Sequence, residues 1–116
     1  MSGEGGKAPT GGYVLAVHGG AGGVVRGTIS PDRERLCRQT LRVALKAGYA
    51  ILAAGGSSVE AVQAAVQVLE DSPAFNAGHG SVLNADGCCE MDATLMRGSD
   101  CAAGSVCGVR TIRNPI

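Results

Sequence analysis

Two helical patterns follow one another near the middle of the sequence, and two consecutive glycines separate them. The first begins at Ser30, an N-cap residue type that a proline follows directly, and it should end at Gly55. The second begins at Ser57, where Glu60 completes a capping box, and it should end before Pro73. Apolar residues recur every three or four positions in both patterns. The sequence therefore predicts two amphipathic helices joined by a very short turn.

Strand patterns lie on both sides of the predicted helices. Residues 13–17 form a short apolar run that glycines close, which is typical of a buried strand. After the helices, apolar or alternating segments at 81–83 and 88–96 flank Asp86-Gly87, a hairpin signal, and 105–112 is a further strand candidate. Because the strands do not alternate regularly with helices, we expect antiparallel strands with helices layered on a sheet face, an α+β fold.

Composition bears on the classes of partner. Ten basic and ten acidic residues give a net charge of zero, and aromatic residues make up 3%, so the sequence lacks the usual features of a nucleic-acid or anionic-membrane binder. The Gly-rich first twelve residues lack the apolar core of a signal peptide, and no apolar run reaches transmembrane length. We expect a flexible tail at 1–12, a partial domain at 13–116 and a cytoplasmic location.

The glycine-rich loop after residue 17 suggests two interpretations. Glycines can cradle phosphate, but a dinucleotide fingerprint would need glycine at Val25, and no Gly-Lys-Ser/Thr motif is present. A tight turn is the simpler interpretation. Thr28, which follows a glycine, suggests a self-processing site, although a loop that approaches a helix explains it without chemistry.

The two histidines and five cysteines leave several roles open. His18 or His79 with a cysteine would form a nominal Cys-His dyad, yet a histidine beside glycines is more often a hydrogen-bonded structural residue. The cysteines lack Cys-x-x-Cys spacing, so reduced thiols are expected, with a zinc module as the less favoured alternative. Glu70 and Asp71 end a helix, where solvation and cation coordination compete with acid-base chemistry.

Five ordered motifs, taken together, resemble the asparaginase and isoaspartyl peptidase family of N-terminal-nucleophile hydrolases. They are VHGGAG at 17–22, AGGSSVEAV at 54–62, LEDSPAFNAGHGSVLN at 69–84, EMDATLM at 90–96, and AGSV with RNPI near the end. The resemblance implies a four-layer αββα sandwich, made as a precursor that cuts itself into α and β subunits. The threonine that begins the β subunit would then attack the side-chain amide of L-asparagine or the β-linked bond of a β-aspartyl dipeptide.

The resemblance also implies that this chain is an N-terminal, α-subunit part, here an incomplete sandwich. We expect no catalytic residue within it and no hydrolysis by it alone, because the family's Gly-Thr-Val-Gly cleavage motif is absent and Thr28 comes far too early to replace it. The full-length protein would act on small molecules without a cofactor for its chemistry. It would assemble as a heterotetramer of two α and two β subunits.

The family's supporting residues map onto two loops of this chain. Asn76 matches an asparagine whose side chain reaches toward the nucleophile. The loop packed beside the cleavage site matches His18, Gly19, Gly20 and Gly22. The resemblance further implies a structural sodium ion ringed by backbone carbonyls, and carbonyl oxygens suit a hard cation. The matching carbonyls belong to Leu69, Glu70, Ser72, Phe75, Ala77 and His79.

Some positions depart from the family pattern, and some alternatives stay open. Arg97 stands where an acidic residue is usual, Ser105 replaces a common alanine, and Cys88-Cys89 fill a turn that usually carries a charged or branched residue. The motifs favour the cytosolic branch over lysosomal glycosylasparaginase, while a threonine aspartase relative remains an alternative. A different class is a non-catalytic truncated isoform that modulates assembly of the full-length protein.

Overall fold

The computed structural model describes residues 12–21 and 27–116. In this part of the chain, two helices are followed by a short 3-10 turn and two antiparallel strands, which confirms the predicted α+β class. The elements are α1 (Pro31–Ala53), α2 (Ser58–Glu70), the 3-10 turn (Gly78–Gly80), β1 (Met91–Met96) and β2 (Ala103–Val109). No helix among the described residues is long and apolar enough to span a membrane.

Both helices begin at the predicted caps. The Ser30 hydroxyl accepts the Arg33 N–H at 3.3 Å, and Ser57 forms a reciprocal capping box with Glu60. In that box the Glu60 N–H donates to Ser57 Oγ at 3.2 Å, and the Ser57 N–H donates to Glu60 Oε2 at 2.8 Å. Hydrogen bonds from the Ser57 backbone and hydroxyl lower the pKa of the Glu60 carboxyl.

Small residues form the contact between α1 and α2. Ala44 and Ala61 are fully buried, and a Cβ added at Gly48 would lie 2.7 Å from the Ala61 carbonyl oxygen. The helix axes can approach closely because no large side chain separates them. The buried positions are Thr40, Ala44, Gly48 and Leu52 on α1, and Ala61, Ala65, Leu69 and Glu70 on α2.

The segment 13–17 is not the predicted buried strand. It forms no strand ladder with any described residue, and Val14 is 95% exposed. Burial nevertheless alternates along the segment, because Tyr13 packs edge-on against Tyr49 with ring centroids 5.3 Å apart, and Val17 packs on the helical core. An extended apolar segment can place one side on the helices, whereas a strand also requires a hydrogen-bonding neighbour.

Residues 81–109, called the strand region, form fewer strand pairs than the sequence predicts. The hairpin around Asp86-Gly87 reduces to one antiparallel bridge between Leu83 and Cys89. The strand predicted at 105–112 is displaced, since β2 begins at Ala103 and ends at Val109. The loop before β2 explains its early start: the Arg97 N–H donates to the Ala102 carbonyl at 2.8 Å, so pairing begins immediately afterwards.

The register of β1 and β2 is antiparallel and contains one irregularity. Met96 lies opposite Ala103 and Met91 opposite Val109, with a bulge between Met91 and Ala93. Gly108 has φ +63° and donates its N–H to Asp92 Oδ1 at 2.8 Å, which accommodates the bulge. The sheet therefore consists of two strands over the described residues.

Candidate functional site

The loop that follows α2, residues 71–80, folds back under the helix and is fastened to α1. Arg33 Nη2 donates to the Ala74 carbonyl at 3.2 Å. The hydroxyls of Thr40 and Ser72, both buried, lie 3.3 Å apart, and Ser72 Oγ also accepts the Ala74 N–H. These polar contacts fix the loop relative to the helix pair.

Two glycines in the loop lie against backbone carbonyls. A Cβ added at Gly78, whose φ is +51°, would lie 2.4 Å from the Glu70 carbonyl oxygen. At Gly80 it would lie 2.1 Å from the Phe75 carbonyl oxygen and 2.9 Å from that of Ser72. The small residues of this loop are therefore required by close backbone approach.

The six carbonyls that the family resemblance assigns to a sodium ion are not all placed alike. Those of Glu70, Ser72 and Phe75 lie against Gly78 or Gly80, and the Phe75 carbonyl also accepts the Ala77 N–H at 2.9 Å. The Leu69 carbonyl accepts the Ser72 N–H at 3.2 Å, and the Ala77 carbonyl accepts the Gly80 N–H at 3.0 Å. The described residues contain no group of three or more His, Cys, Asp or Glu side chains placed to hold a metal. A cation at this loop would consequently depend on backbone oxygen.

Asn76 has one end of its side-chain amide fixed. Its Oδ1 accepts the Val82 N–H at 2.9 Å, which ties the loop to the start of the strand region. Its Nδ2 has no partner among the residues that the structure describes. The side chain is exposed, so this donor is available to a group that approaches from outside.

The glycine-rich loop at His18 lies against the 71–80 loop. A Cβ at Gly19 would lie 2.8 Å from Phe75 Cε1, so a larger residue would require the Phe75 ring to shift. His18 Nδ1 accepts the Gly20 N–H at 3.1 Å, and Gly20 has φ +101°. His18 is thus a hydrogen-bonded turn residue, whereas Gly22 lies outside the described residues.

His79 is exposed and lines a cavity of about 460 Å³. None of the residues that line this cavity is a cysteine, so it provides no Cys-His dyad. All five cysteines are free thiols. The lining consists of Asp71, Gly78, His79, Met91, Ile112 and Arg113.

The sequence did not predict the contact between the end of α2 and residues 113–116, which we call the arm. Asn114 Nδ2 donates to Glu70 Oε2 at 3.0 Å, and the Ile116 N–H donates to Glu70 Oε1 at 3.2 Å. Arg113 Nε lies 3.1 Å from Asp71 Oδ1. Adjacent acidic residues and a downstream Arg-Asn pair were the available signal, but more than forty residues separate them.

The chain is similar to known proteins over most of its length. The family model described as asparaginase matches residues 11–116. The isoaspartyl peptidase/L-asparaginase of Rattus norvegicus is 52% identical over 103 residues, covering 89% of this chain and 30% of the relative. The human protein of the same name is 50% identical and covered to 32%, and the isoaspartyl peptidase of Salmonella typhimurium is 42% identical and covered to 33%.

The chain belongs to the asparaginase family, because the family model matches nearly all of its length. It spans about a third of the length of the curated relatives that it matches.

Proposed function

We propose that this chain is the N-terminal part of an isoaspartyl peptidase/L-asparaginase, a cytoplasmic amidohydrolase with a threonine nucleophile beyond the chain. The observation that carries the proposal is the match of residues 11–116 to the asparaginase family model, together with relatives that bear these two activity names. In the proposed protein, the chain contributes helices and strands to a four-layer αββα sandwich within a heterotetramer of two α and two β subunits.

The proposed reaction is amide hydrolysis in two steps. The α-amine of the N-terminal threonine removes the proton from its own hydroxyl, and the oxygen attacks the side-chain carbonyl of L-asparagine or the β-linked carbonyl of a β-aspartyl dipeptide. The C–N bond breaks, and the amine or ammonia leaves with a proton. Water then hydrolyses the acyl-enzyme and regenerates the hydroxyl. This chain supplies no nucleophile, so we expect it to be inactive alone.

The chain's own contribution is support for the site. We assign to the free Nδ2 of Asn76 a hydrogen bond near the nucleophile, because Oδ1 is already occupied by Val82 N. The loop at His18, Gly19 and Gly20 would pack beside the cleavage point, where glycines allow backbone to approach.

A structural sodium ion fits the carbonyl cluster chemically. The oxygens of Glu70, Ser72 and Phe75 already lie around Gly78 and Gly80, and hard monovalent cations prefer oxygen ligands. When bound, the ion would hold these carbonyls together without taking part in the reaction. If the assignment is correct, replacing sodium in the buffer by a bulky organic cation should lower the temperature at which this loop unfolds. An unchanged unfolding temperature would contradict the sodium assignment.

The proposed activity is tested by a chimera in which the aligned 103 residues replace their counterparts in the rat relative. The chimera should cut itself into two subunits and hydrolyse β-aspartyl dipeptides or L-asparagine, while the 116-residue chain alone should do neither. The rat protein with its own N-terminal third is the matched control. A folded chimera that neither cleaves itself nor hydrolyses either substrate would refute the proposal.

Exposed apolar side chains in the strand region favour a second candidate, a non-catalytic isoform that binds full-length subunits and modulates assembly. Val82, Leu83 and Met96 are 65%, 64% and 60% exposed. Such side chains suit a protein interface. Light scattering after size-exclusion chromatography, with the chain alone and mixed with the full-length protein, distinguishes the two. Co-elution at a fixed ratio would support this candidate, and separate elution would dismiss it.

A further inference from the structure

Glu70, the last residue of α2, contacts both the arm and the 71–80 loop. Glu70 is 3% exposed and accepts hydrogen bonds from the Asn114 side chain and the Ile116 backbone, one on each carboxylate oxygen. Its own carbonyl oxygen faces Gly78 in the loop. Glu70 therefore contacts the arm through its side chain and the 71–80 loop through its backbone.

We propose that Glu70 is a positioning residue that locks the arm against the loop and thereby sets one wall of the 460 Å³ cavity. Asp71 and Gly78 on the loop side, and Ile112 and Arg113 on the arm side, line that cavity. If the arm moved away from Glu70, the cavity residues on the arm side would move away from those on the loop side. Its effect on hydrolysis rests on the proposed function, whereas its effect on the arm does not.

The neighbouring contacts are weaker fastenings than Glu70. The Arg113–Asp71 ion pair is largely exposed, with side-chain accessibilities of 81% and 45%, and exposed pairs contribute little to stability. Asn114 Nδ2 also donates to Asp71 Oδ1, but this contact is exposed and longer, at 3.3 Å. Pro115 and Ile116 line a second cavity, of about 320 Å³, together with strand residues such as Leu95 and Val106. The arm is thus not tightly packed on the sheet, and its attachment depends on hydrogen bonds. Leaving the buried Glu70 carboxylate without its donors would cost free energy. This cost favours the arrangement in which the arm stays hydrogen-bonded to Glu70.

Amide hydrogen exchange of the 116-residue chain, followed by NMR, tests this attachment. Glu70→Gln places an NH₂ group or a weaker acceptor opposite Asn114 Nδ2, and Asn114→Asp places two carboxylates together. The double variant exchanges donor and acceptor between positions 70 and 114 without changing side-chain length. Asp71→Asn is the control for the exposed contacts that Asp71 makes with Arg113 and Asn114. The amides of Ala44 and Ala65, which are buried between the two helices, report whether the helices remain folded.

Either single variant should accelerate exchange at Ile116 by about tenfold or more, the effect expected when a buried polar group loses its partner. The double variant should return the rate to within about fivefold of the parent, since the exposed Asp71 carboxylate repels the new carboxylate at 114 only weakly. Asp71→Asn should change the rate by less than about threefold. An Ile116 amide that exchanges freely in the parent, or a double variant no slower than the singles, would overturn the proposal.

The same four variants in the rat chimera separate this inference from the proposed function. Glu70→Gln should lower kcat and the double variant should recover it, while KM changes less. If the parent chimera is inactive, the proposed function fails and the exchange result still stands. If the parent is active and Glu70→Gln leaves both exchange and kcat unchanged, only the positioning role fails.

Discussion

The helical region and the strand region of this chain bury their residues very differently. In the helical region, Ala44, Ala61 and Ala65 are at most 2% exposed, and polar contacts secure the loop that follows α2. In the strand region, every residue of β2 except Val109 is exposed. Sequence-adjacent helices cover one another through small side chains, whereas a two-stranded sheet has two faces and little self-contained stability. Rigid support for the candidate site therefore comes from the helical region.

The largest expected difference between the regions lies in two glycines with positive φ. Gly78→Ala should lower the free energy of unfolding by about 4 kcal/mol, because it combines a left-handed backbone with a Cβ 2.4 Å from the Glu70 carbonyl oxygen. Gly87→Ala, at φ +73° with no neighbour within 4 Å, should cost only about 1 kcal/mol. Urea unfolding of both variants measures the difference. Equal losses would show that close approach in the loop is unimportant.

A second pair of glycines compares the contact between α1 and α2 with the two-stranded sheet. Gly48→Ala should destabilise the chain by about 2 kcal/mol, because the new methyl meets the Ala61 carbonyl and Leu15. Gly104→Ala meets nothing within 4 Å and should change stability by less than about 0.5 kcal/mol. Thermal unfolding monitored by circular dichroism checks both. A stabilised Gly48→Ala variant would mean that helix propensity outweighs the close contact with Ala61, and that the two helices can move apart slightly.

A pair of serines provides a smaller test. Ser57→Ala removes the hydroxyl half of the capping box and should cost about 1 kcal/mol. Ser105 lies exposed on β2, so Ser105→Ala should be neutral within about 0.5 kcal/mol. Denaturant midpoints at constant slope give both values. Matching losses at the two positions would argue against a specific role for the cap.

The smallest expected effect is on acid stability. The pKa of Glu60 is lowered by hydrogen bonds from Ser57, and that of Glu90 chiefly by Arg110, with help from Asn84. Because both folded-state values lie below the usual 4.5, each carboxylate stabilises the chain above that pH, and the contribution is lost as pH falls through the lowered value. Carboxyl chemical shifts followed by NMR would report each pKa.

Salt distinguishes these two carboxyls. In about 1 M salt the pKa of Glu90 should return toward its usual value, because an exposed ion pair is screened, while that of Glu60 should change less. Equal salt sensitivity would contradict the assignment of hydrogen bonds from an uncharged serine as the main cause at Glu60.

Local signals predicted the helical region well. Ser30 and Ser57 mark helix starts through contacts within four residues, which a sequence displays directly. Segment 13–17 is a short apolar run of the kind found in buried strands, but pairing depends on a neighbouring strand, which local sequence does not specify. The Glu70–Asn114 contact spans forty-four residues and depends on how the chain returns to α2. Carbonyl positions around Gly80 likewise follow from tertiary packing, although the glycines and the family resemblance pointed to that loop.

The 71–80 loop fixes one end of the Asn76 amide, and we propose that the other end serves an active site. Asn76→Asp in the rat chimera tests it most directly, because the carboxylate can still accept the Val82 N–H while the Nδ2 donor is removed. Asn76→Ala, which removes both interactions, is the comparison. We expect Asn76→Asp to keep the parent's unfolding temperature and to lose roughly a hundredfold in kcat for a β-aspartyl dipeptide. An Asn76→Asp chimera with the parent's kcat would contradict the claim.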